Sequence, residues 1–265
     1  MMAAGHAPPA GRPAPVVDLN ADLGESFGNW RLGDDEALLG IVTSANIACG
    51  FHAGDPLTLR RACAGAVARG VTIGAQVSYR DLAGFGRREM TVPADELIAE
   101  VLYQIAALDG IARVEGGRVG YLKPHGALYN RAARDPEQAA AVATAASLFD
   151  PQLPVLTLPG SALATAATDR QLPVVTEAFA DRAYTDHGTL VPRTEPGAVL
   201  TDPAVVAARA VGMVIRGTVP TASGSLLELS PRSVCLHGDT PGAVALATAT
   251  RSALEQAGVR LAPFA

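Results

Sequence analysis

From Val16 onward, short apolar runs alternate with longer stretches of helical periodicity. Strands are expected at Val16 to Leu19, Ala45 to Ala48, Val71 to Ala75, Tyr121 to Lys123, Pro154 to Leu158, Val174 to Ala178 and Val234 to Leu236. Each run is short, apolar on both sides and bounded by polar residues or glycine, the pattern of a buried parallel strand.

The helices between them carry a repeated start signal. Asp55-Pro56, Asp135-Pro136, Asp202-Pro203 and Thr240-Pro241 each set a capping side chain before a proline. The cap accepts a bond from an unpaired N–H, and proline fixes φ where no N–H partner is needed. Gly70 and Gly258 are placed to close two helices. The longest helix is expected from about Ala94 to Val114, with Leu97, Val101, Ile105 and Leu108 on its apolar face.

Strand, polar loop and helix recur about seven times, which predicts a β/α barrel or a doubly wound sheet. No GxGxxG follows the first strand, and that lowers the dinucleotide-binding alternative. Residues 1–15, rich in Ala, Pro and Gly, read as a disordered leader, and residues 16–265 as one catalytic barrel domain. The stretch Asp181 to Leu200 reads as a hairpin or lid over the barrel mouth, with Thr218 to Leu229 a second excursion.

Composition changes the picture in a few places. The 265 residues suit a single β/α barrel, and 49% hydrophobic against 18% charged residues supplies a large core. A net charge of -5 argues against nucleic acid or an anionic membrane as the partner. No apolar run is long enough to span a bilayer, so a cytoplasmic protein is expected. Cys49, Cys63 and Cys235 are odd in number and form no CxxC pair, which predicts reduced, buried thiols. Lys123 is the chain's only lysine.

The candidate chemistry follows the strands. The first leads into DLNADLGE, with Asp18, Asn20, Asp22 and Glu25. The second leads to Asn46 and His52 in SANIACGFHAGD. The third gives Gln76 and Ser78, and the fourth Lys123 and His125 in LKPHGALYN. The sixth gives Glu177, Asp181 and Arg182, and the seventh His237 and Asp239. In a parallel barrel these groups converge at the C-terminal mouth. Plainer roles exist for each motif. Asp22 and Asp55 could be helix caps, KPHG a turn with a snorkelling lysine, Asp181–Arg182 a surface ion pair, and Asp239 a helix-start residue.

Opening an amide needs an activated water, a charge sink and a proton for the leaving nitrogen. Asp22, His52, Lys123 and His125 are the catalytic candidates. Asn20, Glu25, Asn46, Gln76, Glu177, Asp181, Arg182, His237 and Asp239 are the candidates for holding substrate. Asp22, His52 and His125 are the candidates for a divalent metal. Lys123→Ala is expected to harm activity far more than stability. Nothing resembles a Walker A loop, so ATP is not expected to bind this chain in that manner.

The motifs VDLNADLGESFG, SANIACGFHAGD, FGRREM, LYQIAAL, YLKPHGALYN, EAFADRAY, GTLVPR and VCLHGD resemble, in the same order, those of the LamB/YcsF family over residues 16 to 260. The resemblance implies an irregular β/α barrel similar to the glycoside hydrolase/deacetylase barrels. It also implies one component of an ATP-dependent 5-oxoprolinase, which opens 5-oxoproline to glutamate with separate B and C subunits that use the ATP. Many members carry a histidine where this chain reads GAQVS, so Gln76 leaves a transition metal open. Two alternatives stay open: a stand-alone metal-dependent deacetylase or amidohydrolase, and a non-catalytic subunit that holds a small carboxylate. A homo-oligomer is compatible with the apolar barrel exterior.

Overall fold

A computed structural model describes residues 14–265, and most of the expected leader lies outside the described residues. Seven parallel strands close into a barrel: β1 (Val16–Leu23), β2 (Ser44–Ala48), β3 (Thr72–Val77), β4 (Val119–Pro124), β5 (Val155–Thr157), β6 (Val174–Phe179) and β9 (Ser233–Leu236). They pair in that order, and β9 returns to β1, with Asn20 opposite Cys235. A short strand, β10 (Arg260–Leu261), extends the start of β1.

The helices pack outside the strands: α1 (Asp35–Leu39), α2 (Pro56–Arg69), α3 (Ala94–Val114), α4 (Gly126–Ala132), α5 (Pro136–Phe149), α6 (Ala162–Asp169), α7 (Pro203–Val211) and α8 (Ala243–Gln256). Leu19, Leu23 and Ile47 from the strands join Leu97, Val101, Ile105 and Leu108 of α3 in one buried apolar layer. Asp55, Asp135 and Asp202 cap α2, α5 and α7 as their Asp-Pro pairs predict. Thr240-Pro241 departs from that rule: α8 begins at Ala243 after Gly242, with no side-chain cap. Thr240 and Pro241 instead form part of the turn leaving β9, closed by a bond from Ala243 N to the Thr240 carbonyl.

Polar residues fill the barrel. Strand side chains alternate between faces. On β1 that sends Val17, Leu19, Ala21 and Leu23 outward to the helices and Asp18, Asn20 and Asp22 into the lumen. The lumen of a β/α barrel is ordinarily filled by branched apolar side chains. Here a hydrogen-bonded network replaces them along β1, so β1 is not apolar on both sides as its sequence pattern predicts, while Tyr121, Leu156, Val175 and Phe264 keep a small apolar cluster. At the lower end Asp18 accepts bonds from Thr43, Ser44 and Ser233. Tyr121 also points inward, and Gly74 makes room for it, because a Cβ at that position would fall inside the Tyr121 ring. The Phe264 ring packs edge-on against Tyr121 at 4.9 Å.

The second excursion is a hairpin, β7 (Thr218–Pro220) with β8 (Leu226–Glu228), which follows a π turn at Gly212–Arg216. The first is an irregular loop with isolated bridges between Arg182 and Val199 and between Tyr184 and Leu190. Asp186 accepts bonds from Thr221 and Ser223 and so ties the two excursions together. Among the described residues, no helix is long and apolar enough to cross a membrane.

Candidate active site at the barrel mouth

The middle of the lumen centres on Lys123, carried inward by β4. Its Nζ lies 2.8 Å from Glu177 Oε1, 3.3 Å from Asp22 Oδ1, 3.3 Å from Asn20 Oδ1 and 3.0 Å from Cys235 Sγ. Tyr129 donates to the second Glu177 oxygen at 3.0 Å. Asn46 donates to Asp22 at 2.8 Å and to Asn20 at 2.6 Å, and Tyr121 donates to Asn46 at 2.6 Å. Burial works to neutralise both ends of the Asp22–Lys123 pair. At Asp22 the charge of Lys123, with the bond from Asn46, outweighs burial and holds the carboxyl below its usual range. At Lys123 the Asp22 and Glu177 carboxylates outweigh it and hold the ammonium well above its usual value. Lys123 is therefore a buried, charged anchor and does not snorkel to solvent.

Above this layer sit Glu25, His52 and His125, all buried. The two imidazoles stack with centroids 4.0 Å apart. His52 Nε2 lies 3.2 Å from the Gln76 side-chain oxygen, and His125 Nε2 lies 3.0 Å from the Phe85 carbonyl. The Phe85 carbonyl only accepts, so His125 carries its proton on Nε2, and His52 does the same with the Gln76 amide turned oxygen-first, leaving Nδ1 of each ring as a lone pair. Burial is the main force depressing both histidines well below their usual pKa, and the rings are neutral. Burial, then Asp22 and Asp239, push Glu25 well above the usual carboxyl range. Glu25 Oε1, His52 Nδ1 and Gln76 Nε2 have no hydrogen-bond partner.

On the other side of the mouth, Asp181 and His237 form a dyad. His237 Nδ1 lies 2.9 Å from Asp181 Oδ2, and the same oxygen accepts the His237 backbone N–H at 3.0 Å. Burial raises Asp181, but His237 more than offsets it and the carboxyl stays below its usual range. The Phe179 ring stacks on His237 at 5.4 Å.

Asp181 and Arg182 do not pair as neighbours. Arg182 turns away and donates to the carbonyls of Val191 at 2.6 Å and Ala198 at 3.2 Å, bracing the first excursion. Asp239 holds Arg87 at 2.6 Å. Asp55 is an N-cap outside the cluster. The metal candidates regroup: Asp22 is engaged by Lys123 and Asn46, and Glu25 joins His52 and His125 instead, their ligand-type atoms all within 4.8 Å of one another.

The loop after β3 closes over this layer. Phe85 takes a left-handed φ of 55°, strained for a side chain with a Cβ, and Gly86 follows at 66°. A Cβ on Gly86 would collide with Ser78, His52 and His125, so glycine is what lets the loop lie flat on the histidine pair. Sequence reasoning singles out the FGRREM motif but gives Phe85 and Arg87 no role, because a loop residue's direction is not periodic. It also misses Tyr121, Tyr129 and Cys235. The alternation Ser233, Cys235, His237 along β9 is the signal that places Cys235 in the lumen.

Fold and site together define an irregular parallel β/α-barrel protein whose ionisable groups converge where the strands end. The sequence matches the LamB/YcsF family model over residues 17–265, and the chain belongs to that family. It is 63% identical over 250 residues to the A subunit of 5-oxoprolinase from Streptomyces avermitilis, covering 94% of this chain and 100% of that one. It is 62% identical over 248 residues to the corresponding A subunit from Mycolicibacterium paratuberculosis, covering 94% and 98%. The crystal structure of the lactam utilization protein from Thermus thermophilus superposes with a TM-score of 0.89 at 46% identity, covering 94% of this chain and 99% of that one.

Proposed function

We propose that this chain is the lactam-opening subunit of an ATP-dependent 5-oxoprolinase. It acts on 5-oxoproline in the cytosol together with separate B and C subunits that use the ATP. The names of the relatives support the reaction class, and one geometric observation carries the chemistry: the Asp181–His237 dyad stands at the mouth beside the charged Asp22–Lys123 pair.

Hydrolysis of the lactam adds water to C5, places charge on its oxygen and expels the ring nitrogen, which needs a proton. Asp181 accepts from Nδ1 of His237, fixes the tautomer and leaves Nε2 to exchange protons. His237 takes the proton from the attacking water and returns it to the departing nitrogen, giving glutamate. Lys123, held charged by Asp22 and Glu177, supplies a fixed positive field beneath the developing oxyanion. Asp22, Asn46 and Asn20 keep that ammonium in place, and the stacked pair His52–His125 walls the opposite side.

The test is reconstitution with the B and C subunits, following glutamate formed from 5-oxoproline and ATP. His237→Ala is expected to lower kcat by roughly 100-fold or more per folded molecule, the scale of losing a general acid–base, together with a lower melting temperature because buried Asp181 loses its side-chain partner. Full turnover without this chain, or with His237→Ala, sinks the reading.

A second reading, a metal-dependent amidohydrolase, is favoured by one observation: Glu25, His52 and His125 bring together buried ligand-type atoms of the kinds a divalent transition ion takes, and those of Glu25 and His52 have no partner. These residues fit such an ion in kind and spacing, though both imidazoles lie in near-parallel planes and one must turn to share it. When bound, the ion would polarise the amide carbonyl and acidify a water.

A further inference from the structure

A small lactam that carries a carboxylate needs a cation at the mouth to meet it. The expected ones, Lys123 and Arg182, are both engaged: Lys123 by Asp22 and Glu177, Arg182 by two backbone carbonyls. Arg80 and Arg88 pair with Glu100 and Asp81, and Arg209 donates to three carbonyls. Arg193, on the first excursion, lies on the Asp181 and Arg182 side of the mouth.

Arg87 is placed differently. The closing loop lays it across the Phe85 ring, with Cζ 4.8 Å from the ring centroid, and that ring meets both histidines edge-on. One guanidinium nitrogen contacts Asp239 at 2.6 Å, and that is its one hydrogen bond among the described residues. The remaining donors of its fork are open, and its side chain is 34% exposed where that of Lys123 is 3%. Burial dominates the shifts at Glu25, His52 and His125, and the Arg87 charge acts on all of them as well. Of the mouth cations named, it is the one both solvent-accessible and close to that cluster.

We propose that Arg87 binds the substrate's carboxylate and thereby sets specificity for an anionic lactam, with Asp239 holding the guanidinium in position. A planar fork pairs with a carboxylate through two parallel bonds, which a lysine ammonium cannot reproduce. The inference rests on the reading that 5-oxoproline is the substrate. It adds a residue to which the conversion itself assigns no role.

The experiment uses the reconstituted complex with two substrates: 5-oxoproline, and 2-pyrrolidinone, the same lactam without the carboxylate. Arg87→Ala is expected to raise KM for 5-oxoproline roughly 10- to 100-fold, the loss of a charge-assisted pair, while leaving kcat/KM for 2-pyrrolidinone unchanged. Arg87→Lys is expected to recover only part of that loss. Thermal melting of both variants checks that the exposed position has not disturbed folding. Equal damage to both substrates overturns the carboxylate assignment and moves Arg87 to a group they share. No damage to either makes the Arg87–Asp239 pair a surface contact. Absence of turnover in the wild-type complex is a separate outcome: it removes the 5-oxoprolinase reading itself, and the assignment with it.

Discussion

Lys123 and Glu177 meet 2.8 Å apart inside the barrel, both side chains almost fully excluded from solvent. The chain's only lysine is therefore enclosed by Glu177 and Asp22. Removing one partner of a buried ion pair leaves the others charged and uncompensated, which is strongly destabilising, about 3–5 kcal/mol. Lys123→Ala is thus expected to cost folding as well as activity, where the sequence alone predicts damage far more to activity than to stability. For a chain of this size the loss lowers the melting temperature by on the order of 10 °C. Urea denaturation of Lys123→Ala checks it, and a midpoint equal to wild type would show that the network tolerates the missing charge.

The surroundings of Lys123 show where the sequence was legible and where it was not. All seven barrel strands and α3 follow from local periodicity, and three of the four capped starts follow from Asp-Pro pairs, because those signals act within a few residues. The direction of each strand's polar face needs the closed barrel. Asp18, Asn20 and Asp22 alternate along β1, yet only closure against β9 and the reach of β4 across the lumen reveal that they face one another. Arg182 illustrates the same limit. Its neighbour Asp181 suggests an ion pair, but adjacent residues on an extended segment point to opposite sides, and Asp181 finds His237 from β9 instead. Phe85 was beyond reach for a third reason: a left-handed backbone on a residue with a Cβ is held there by tertiary contacts, which no local pattern records.

Asp55 gives a pH-dependent test away from the mouth. Its carboxylate accepts the Leu57 and Thr58 backbone N–H groups at 2.9 and 3.0 Å and also that of Gly28 at 2.9 Å. The bond from Thr58, then that from Gly28, draws its pKa from 3.8 down to about 2. A depressed folded-state pKa contributes stability that is present above the unfolded value and lost as pH falls through the folded one. Because the cap is solvent-screened, its worth is that of an N-cap, about 1 kcal/mol. Asp55→Ala is expected to show that deficit at neutral pH, and the gap to wild type should narrow as pH drops from about 4 to about 2. A gap independent of pH would mean that the ionised carboxylate is not what stabilises α2 and the Gly28 turn.

The ligand-type cluster gives the sharpest separation between the two chemical readings. Glu25 Oε1 and His52 Nδ1 are buried without partners, an arrangement that costs stability unless something fills it. A divalent ion would relieve both groups at once and take in His125, and Co2+ reports tetrahedral nitrogen and oxygen ligation through its visible absorption. Titrating the purified protein with Co2+ is expected to give about one equivalent bound, with a raised melting temperature by mass action. Both effects should vanish in His52→Ala and in Glu25→Gln. His237→Ala, outside the cluster, should bind normally, which separates ion binding from proton exchange. Stripping the ion with a chelator and then assaying glutamate formation decides its importance: loss restored by added metal places the ion in the reaction. Saturable binding that survives both substitutions would put the ion elsewhere. A featureless titration would leave the unpartnered atoms to a water or the substrate itself, and the ATP-dependent route as the surviving chemistry.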